Sequence, residues 1–230
     1  MVCKTSLLVA SRLLTGRQQT GQTEWSKVGK YTGTTEKYLT EDGEKEAAAL
    51  GKSFFGKGKL IDPSTLARIF VSPRVRAQQT LEFLMPLADR QNAIVCEDVR
   101  EWEHGDYEGM TSQEIRSLRA EKGLDKDKEW SIWTGGCPGG ESVEDVTARV
   151  KRMISTILEI QEPSFHEDKP ANILIVGHGT FLRCFAKIWG GVPIDSPLYI
   201  SLGTGTVAVM SFEGNVNKRT IVIGHQGHVE

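Results

Sequence analysis

The chain lacks any apolar run approaching the roughly 18 to 20 residues that a membrane span needs. Its longest runs, such as Ile173-Leu174-Ile175-Val176, are of strand length. It also lacks a Cys-x-x-Cys pair. The four cysteines (Cys3, Cys96, Cys137 and Cys184) lie far apart with no histidine at ligand spacing, so neither a disulfide frame nor a zinc or other metal site is expected. They read as free thiols in a reducing compartment. Charge of one sign is missing too: 28 basic residues stand against 30 acidic ones, a net charge of −2, which gives no polyanion-binding surface and argues against nucleic acid as a partner. There is no Gly-x-Gly-x-x-Gly loop, no repeat, no low-complexity tract and no linker long enough to divide domains. The start has no basic segment followed by a long apolar stretch and a cleavage site. What is present is ordinary globular usage over 230 residues, 39% hydrophobic and 25% charged, enough to bury a core. The expectation is one domain over residues 1–230, cytoplasmic and not bound to a membrane.

Helix and strand signals alternate along the chain. Ser6-Leu7-Leu8-Val9-Ala10 reads as a buried strand, and Thr40 precedes a helix over 41–55 with acids in its first turn. A strand over 67–71 is broken by Ser72-Pro73 and followed by a helix to Leu84; residues 93–96 form another strand. Thr111 and Glu114 have the spacing of a capping box. After the glycine-rich loop Gly135-Gly136-Cys137-Pro138-Gly139-Gly140, Ser142 caps a helix whose apolar residues Val143, Val146, Val150, Met153, Ile154, Ile157 and Leu158 recur at three and four. Residues 172–176 are a strand, and 206–211 with 220–223 a hairpin about Glu213-Gly214-Asn215. The charge run 125–128 reads as a solvated loop. This alternation predicts an α/β fold, a mostly parallel sheet with one antiparallel strand near the end and helices on both faces, a three-layer α/β/α sandwich.

In such sheets ligands sit beyond the carboxyl ends of the strands. Strand 172–176 delivers Gly177-His178-Gly179-Thr180 and then a helix carrying Arg183. This suits a phosphate at a helix N-terminus, or a tight turn whose histidine caps the helix. Strand 67–71 delivers Arg74 and Arg76 into a helix start, where the dipole disfavours cations. An anionic ligand between them and the helix removes the conflict; so does a course of both side chains to solvent or to carboxylates. The loop from Val99 to Gly109 holds Glu101, Glu103, Asp106 and Glu108 with His104 and two aromatics. One of those acids could donate a proton beside a bound phosphate, or the loop could be a polar surface with Trp102 packed inward. The residues by themselves point to a phosphate-handling site without nucleotide or metal.

Five motifs in order carry a resemblance. Gly21-Gln22-Thr23-Glu24-Trp25-Ser26, Tyr31-Thr32-Gly33, Leu39-Thr40-Glu41-Asp42-Gly43, the run Ser72 to Thr80, and Gly177-His178-Gly179 resemble the histidine phosphatase superfamily, the phosphoglycerate mutase-like clan. Residues 100–109, 124–133 and 136–141 are similar to its fungal sedoheptulose-1,7-bisphosphatase branch, which serves the non-oxidative pentose phosphate pathway. The resemblance implies a two-step phosphatase: a histidine attacks phosphorus, a carboxylic acid protonates the leaving oxygen, and water then attacks the phosphohistidine. It implies Glu101 as the proton donor, His178 as the second histidine, and Arg76, Gly21 and Thr204 around the phosphate. It implies a small-molecule sugar phosphate as partner, no cofactor, and is compatible with a homo-oligomer.

One departure weighs against those matches. The family's first strand runs directly into Arg-His-Gly, whose histidine is the nucleophile, whereas here residues 10–20 separate Val9 from Gly21. The five histidines are His104, His166, His178, His225 and His228, so none falls there. Thr20 and Arg17 are the candidates for a substitute or remnant at the slot. Three explanations stand: a misread splice junction, a pseudo-phosphatase that binds phosphate esters without hydrolysing them, or a rearranged site with weak activity. A phosphoglycerate mutase is a further alternative.

Overall fold

The computed structural model of the protein describes residues 22–166, 171–202 and 206–223 with their side chains, and the backbone of residues 6–11. In chain order the elements are β1 (Ser6–Ser11), α1 (Glu24–Lys27), α2 (Glu41–Phe54), β2 (Leu66–Val71), α3 (Val75–Leu84), β3 (Ala93–Val95), α4 (Ser112–Glu121), α5 (Ile132–Gly135), α6 (Val143–Gln161), β4 (Asn172–Val176), α7 (Gly179–Trp189), β5 (Thr206–Phe212) and β6 (Arg219–Val222). The strands form one sheet in the order β3-β2-β4-β1-β5-β6. β3, β2, β4 and β1 run parallel, and β5 lies antiparallel between β1 and β6. β5 is thus the one reversed strand, as the alternation of elements predicts.

Alternation along the strands builds the two cores. Ile69, Val71, Leu174 and Val176 face Leu50 of α2 and Ala77, Leu81 and Leu84 of α3. Phe70, Ile173 and Ile175 face Val146, Val150, Met153 and Ile157 of α6 and Phe181, Leu182 and Phe185 of α7. Successive residues of one strand point to opposite faces, so both faces must be covered, and near-continuous apolar runs result.

The caps read from sequence are in place. Thr40 accepts from the Gly43 N–H, Thr111 and Glu114 form a capping box, and Ser142 forms another with Asp145. Removing the Ser142 hydroxyl leaves the Asp145 N–H without its acceptor. Ser142→Ala is expected to cost about 1 kcal/mol and to lower Tm by roughly 3 °C, measured by thermal unfolding. α6 runs three residues past Leu158 to Gln161, whose buried side chain donates to the Ala171 carbonyl at 2.8 Å. The charge run is only partly solvated, since Asp125 pairs with Arg119 at 2.8 Å. Cys96, Cys137 and Cys184 are free; Cys3 lies outside the described residues. Burial pushes the Cys137 thiol up to about 12, so it is protonated and unreactive at neutral pH. No helix among the described residues is long and apolar enough to cross a membrane.

Candidate active site

The strand order sets the carboxyl ends of β2, β4 and β1 side by side. β2 ends at Val71 and delivers Ser72; β4 ends at Val176 and delivers Gly177 and His178. The two turns meet, His178 Nε2 lying 2.7 Å from Ser72 Oγ, and His178 is only 3% exposed. His178 occupies the cap position of α7 but its side chain makes no cap hydrogen bond. The capping alternative left open by the sequence therefore does not describe its side chain.

That duty falls to Glu101. Its Oε2 accepts from the Thr180 N–H at 3.1 Å, and its Oε1 from Phe181 N–H and Trp102 N–H, both at 2.9 Å. A carboxylate on the first free amides of α7 is favoured by both the unsatisfied donors and the helix dipole. The separation of 79 positions between Glu101 and Thr180 hides this pairing from the sequence. Oε1 holds two donors and Oε2 one, so Oε2 is the less engaged of the two oxygens. Trp102 is fully buried beside it, so the inward-packed aromatic and the candidate acid are neighbours in one loop.

Arg76 and Arg74 part company. Arg74 meets Glu36, 3.4 Å from its Nη1, and Glu36 also accepts from the Val75 N–H. Arg76 is 3% exposed and meets no carboxylate among the described residues. It donates to the carbonyls of Thr32 at 2.9 Å, Gly33 at 3.3 Å and Thr35 at 3.2 Å. Burial pushes its guanidinium below the usual arginine range, with the Glu101 charge opposing. Arg183, the fifth residue of α7, is similar. Burial lowers it against the pull of Glu101, and its Nε is buried without a hydrogen-bond partner among the described residues. Two guanidinium groups, one buried and one partly buried, thus lie within reach of the Glu101 charge, and neither is bonded directly to a counter-ion among the described residues. Buried charges are ordinarily paired, so the arrangement asks for an anion. Arg183 is named from the sequence as part of the helix after β4; Ser72 joins it, and the signal that could have singled out Ser72 is its place just after β2. The Gln22 amide adds a buried nitrogen and oxygen, both without partners among the described residues. Gly21, Thr204, Thr20 and Arg17 lie outside the described residues.

The loop bearing Glu101 is held from behind. A Cβ on Gly140 would fall 2.1 Å from the Glu103 carbonyl oxygen, and one on Gly105 2.2 Å from that of Pro138. The glycine-rich loop therefore lies directly on residues 103–106, which explains its composition. Among the described residues no cluster of three His, Cys, Asp or Glu side chains could hold a metal ion.

The sequence compares with known proteins in the same sense. Residues 20–222 match the family model for the histidine phosphatase superfamily, branch 1. The chain is 42% identical over 180 residues to a sedoheptulose 1,7-bisphosphatase of Saccharomyces cerevisiae, an alignment covering 76% of this chain and 66% of the yeast protein, just under two thirds of its length. It is 30% identical over 208 residues to an acid phosphatase of Mycobacterium tuberculosis, covering 90% of each. Its fold superposes on the structure of the Mycobacterium tuberculosis open reading frame Rv3214 with a TM-score of 0.71 at 26% identity, over 96% of each chain. The family model spans most of the chain, which therefore belongs to the histidine phosphatase superfamily, branch 1.

Proposed function

We propose that this protein is a sugar bisphosphate phosphatase scaffold, with sedoheptulose 1,7-bisphosphate as its ligand and the non-oxidative pentose phosphate pathway as its setting. The observation that carries the reading is the pair of guanidinium groups of Arg76, buried, and Arg183, partly buried, which meet no carboxylate directly among the described residues and both feel the charge of Glu101. The similarity to the yeast bisphosphatase supports the sugar. In this reading Arg76, Arg183 and His178 neutralise the phosphoryl oxygens, and Glu101 Oε2 protonates the sugar oxygen as the P–O bond breaks. The reaction needs no metal or organic cofactor. A second reading, a phosphate-ester binder without hydrolysis, is favoured by one fact: the first histidine of the chain is His104, so none lies between Val9 and Gly21.

Both readings require the chain as written to bind the sugar phosphate. Titration calorimetry is expected to give sedoheptulose 1,7-bisphosphate a Kd at least about tenfold below that of sedoheptulose 7-phosphate, because a second phosphate adds charge-assisted contacts. Equal affinities would overturn the bisphosphate assignment. Binding of neither would overturn the phosphate site.

A further inference from the structure

Glu108 has no part in the scheme above, yet it is joined to Arg76 through a single strip of backbone. Its Oε1 accepts from the N–H groups of Gly33 at 3.0 Å and Thr35 at 2.9 Å, and its Oε2 from Gly33 N–H at 2.9 Å. The carbonyls of Thr32, Gly33 and Thr35, on the same strip, are the three acceptors of Arg76. Amide N–H groups therefore face a carboxylate while the carbonyls face a guanidinium, an arrangement in which each bond polarises the next.

The strip has little freedom to settle elsewhere. A Cβ on Gly33 would stand 2.3 Å from the Trp102 carbonyl oxygen, so the backbone is pressed against the loop that carries Glu101. Its base is tied by Tyr31 N–H to the Met110 carbonyl and by Gly109 N–H to the Tyr31 carbonyl, each at 2.8 Å. Three of the five guanidinium N–H groups of Arg76 are consumed by the strip, leaving Nε–H and one Nη1–H for a ligand. The strip thus decides how those two donors are held.

We propose that Glu108 is a positioning residue for phosphate binding, which aims Arg76 through the amides of residues 33 and 35. This rests on the phosphate reading of the site. Glu108→Gln keeps the shape but removes the charge and, with its oxygen in the Oε1 position, turns an NH2 group toward the Gly33 N–H. It is expected to weaken binding of inorganic phosphate to the full chain about tenfold. In an Arg76→Lys background, where the three-carbonyl grip is already lost, the same change is expected to add less than twofold.

A role confined to general stability would give the same loss in both backgrounds, and that result would overturn the proposal. So would an unchanged phosphate affinity in Glu108→Gln. Should that variant fail to fold, Glu108→Asp, which keeps the charge and draws it back by one methylene, is expected to weaken phosphate binding to an intermediate degree; wild-type affinity in it would count against the proposal. Guanidinium NMR of Arg76 in the ligand-free protein provides a readout independent of phosphate. Hindered rotation about its Cζ–Nη bonds is expected in the wild type and averaging in Glu108→Gln; identical spectra would overturn the coupling. Failure of the wild type to bind phosphate would instead overturn the site reading, with the NMR comparison still deciding whether Glu108 aims Arg76.

Discussion

A form of the protein in which residues 10–20 are replaced by Arg-His is expected to release phosphate from sedoheptulose 1,7-bisphosphate about 10⁵-fold faster than the chain as written. The magnitude follows from how catalytic groups act as a unit: deleting a nucleophile or its partner removes about six orders of magnitude and leaves a residue from binding and charge stabilisation. The register of the sheet shows where the restored histidine falls. Ala10 pairs with Val176 in β4 and with Val207 in β5, and Ser11 pairs with Thr206. In the replaced form the new arginine takes the position of Ala10 and the new histidine that of Ser11. The histidine is then one residue beyond the Val176 pairing, level with Gly177 and next to the turn that presents His178. Counting back from Gly21 puts Gln19 and Thr20 in the same two slots, so the chain as written reaches them by two routes and holds no histidine on either. Phosphate release by the replaced form alone would show the scaffold competent and the written chain a binder. Equal rates in both would mean that residues 10–20 supply a working nucleophile of their own. Release by neither would count against the sugar bisphosphate.

The difference between what the sequence discloses and what it hides follows from the range of the interactions. β4 is read from sequence with both its ends, and α6 with its cap and its stripe, because β-branched runs, capping boxes and periodicities are local signals. α1 and α5 escape, since four residues complete barely one helical turn and show no period. The acids of the loop after β3 are indistinguishable as sequence and distinct in space. Glu101 closes α7, Glu103 meets Arg100 at 3.1 Å, and Glu108 holds the strip at residues 33–35. Each assignment depends on partners that the fold brings in, up to 80 residues away for Glu101 and 75 for Glu108. Only the resemblance to a family could single out Glu101 beforehand. The two arginines are a similar case: both fit an anion or a carboxylate as sequence, and Glu36 decides the matter for Arg74 alone.

Glu141→Ala is expected to destabilise the fold by about 3–5 kcal/mol and to lower Tm by roughly 10 °C, because it leaves a buried arginine without its counter-ion. Glu141 receives Arg149 in a two-point grip, Nε to Oε1 at 2.8 Å and Nη2 to Oε2 at 2.9 Å, and both side chains are buried. The same carboxylate accepts from Arg100 Nη2 at 2.9 Å and from the Glu103 N–H at 3.0 Å. Arg149 in turn donates to the carbonyls of Asp98 and Arg100 and stacks over Phe181, 5.0 Å from its ring centre. The exposed Arg152–Asp98 pair offers the internal control: its removal by Arg152→Ala is expected to cost less than about 1 kcal/mol, since water replaces what the pair provides. Denaturant unfolding of the two variants side by side decides the matter, and a Glu141→Ala loss no larger than that of Arg152→Ala would refute the clamp. Its consequence reaches the site, because the carboxylate that is removed holds Arg100 and the Glu103 N–H, on either side of Glu101 and Trp102. With the clamp cut, the Glu101 carboxylate loses its fixed seat on α7. Hydrogen exchange at the Thr180 and Phe181 amides should then accelerate more than in the rest of that helix.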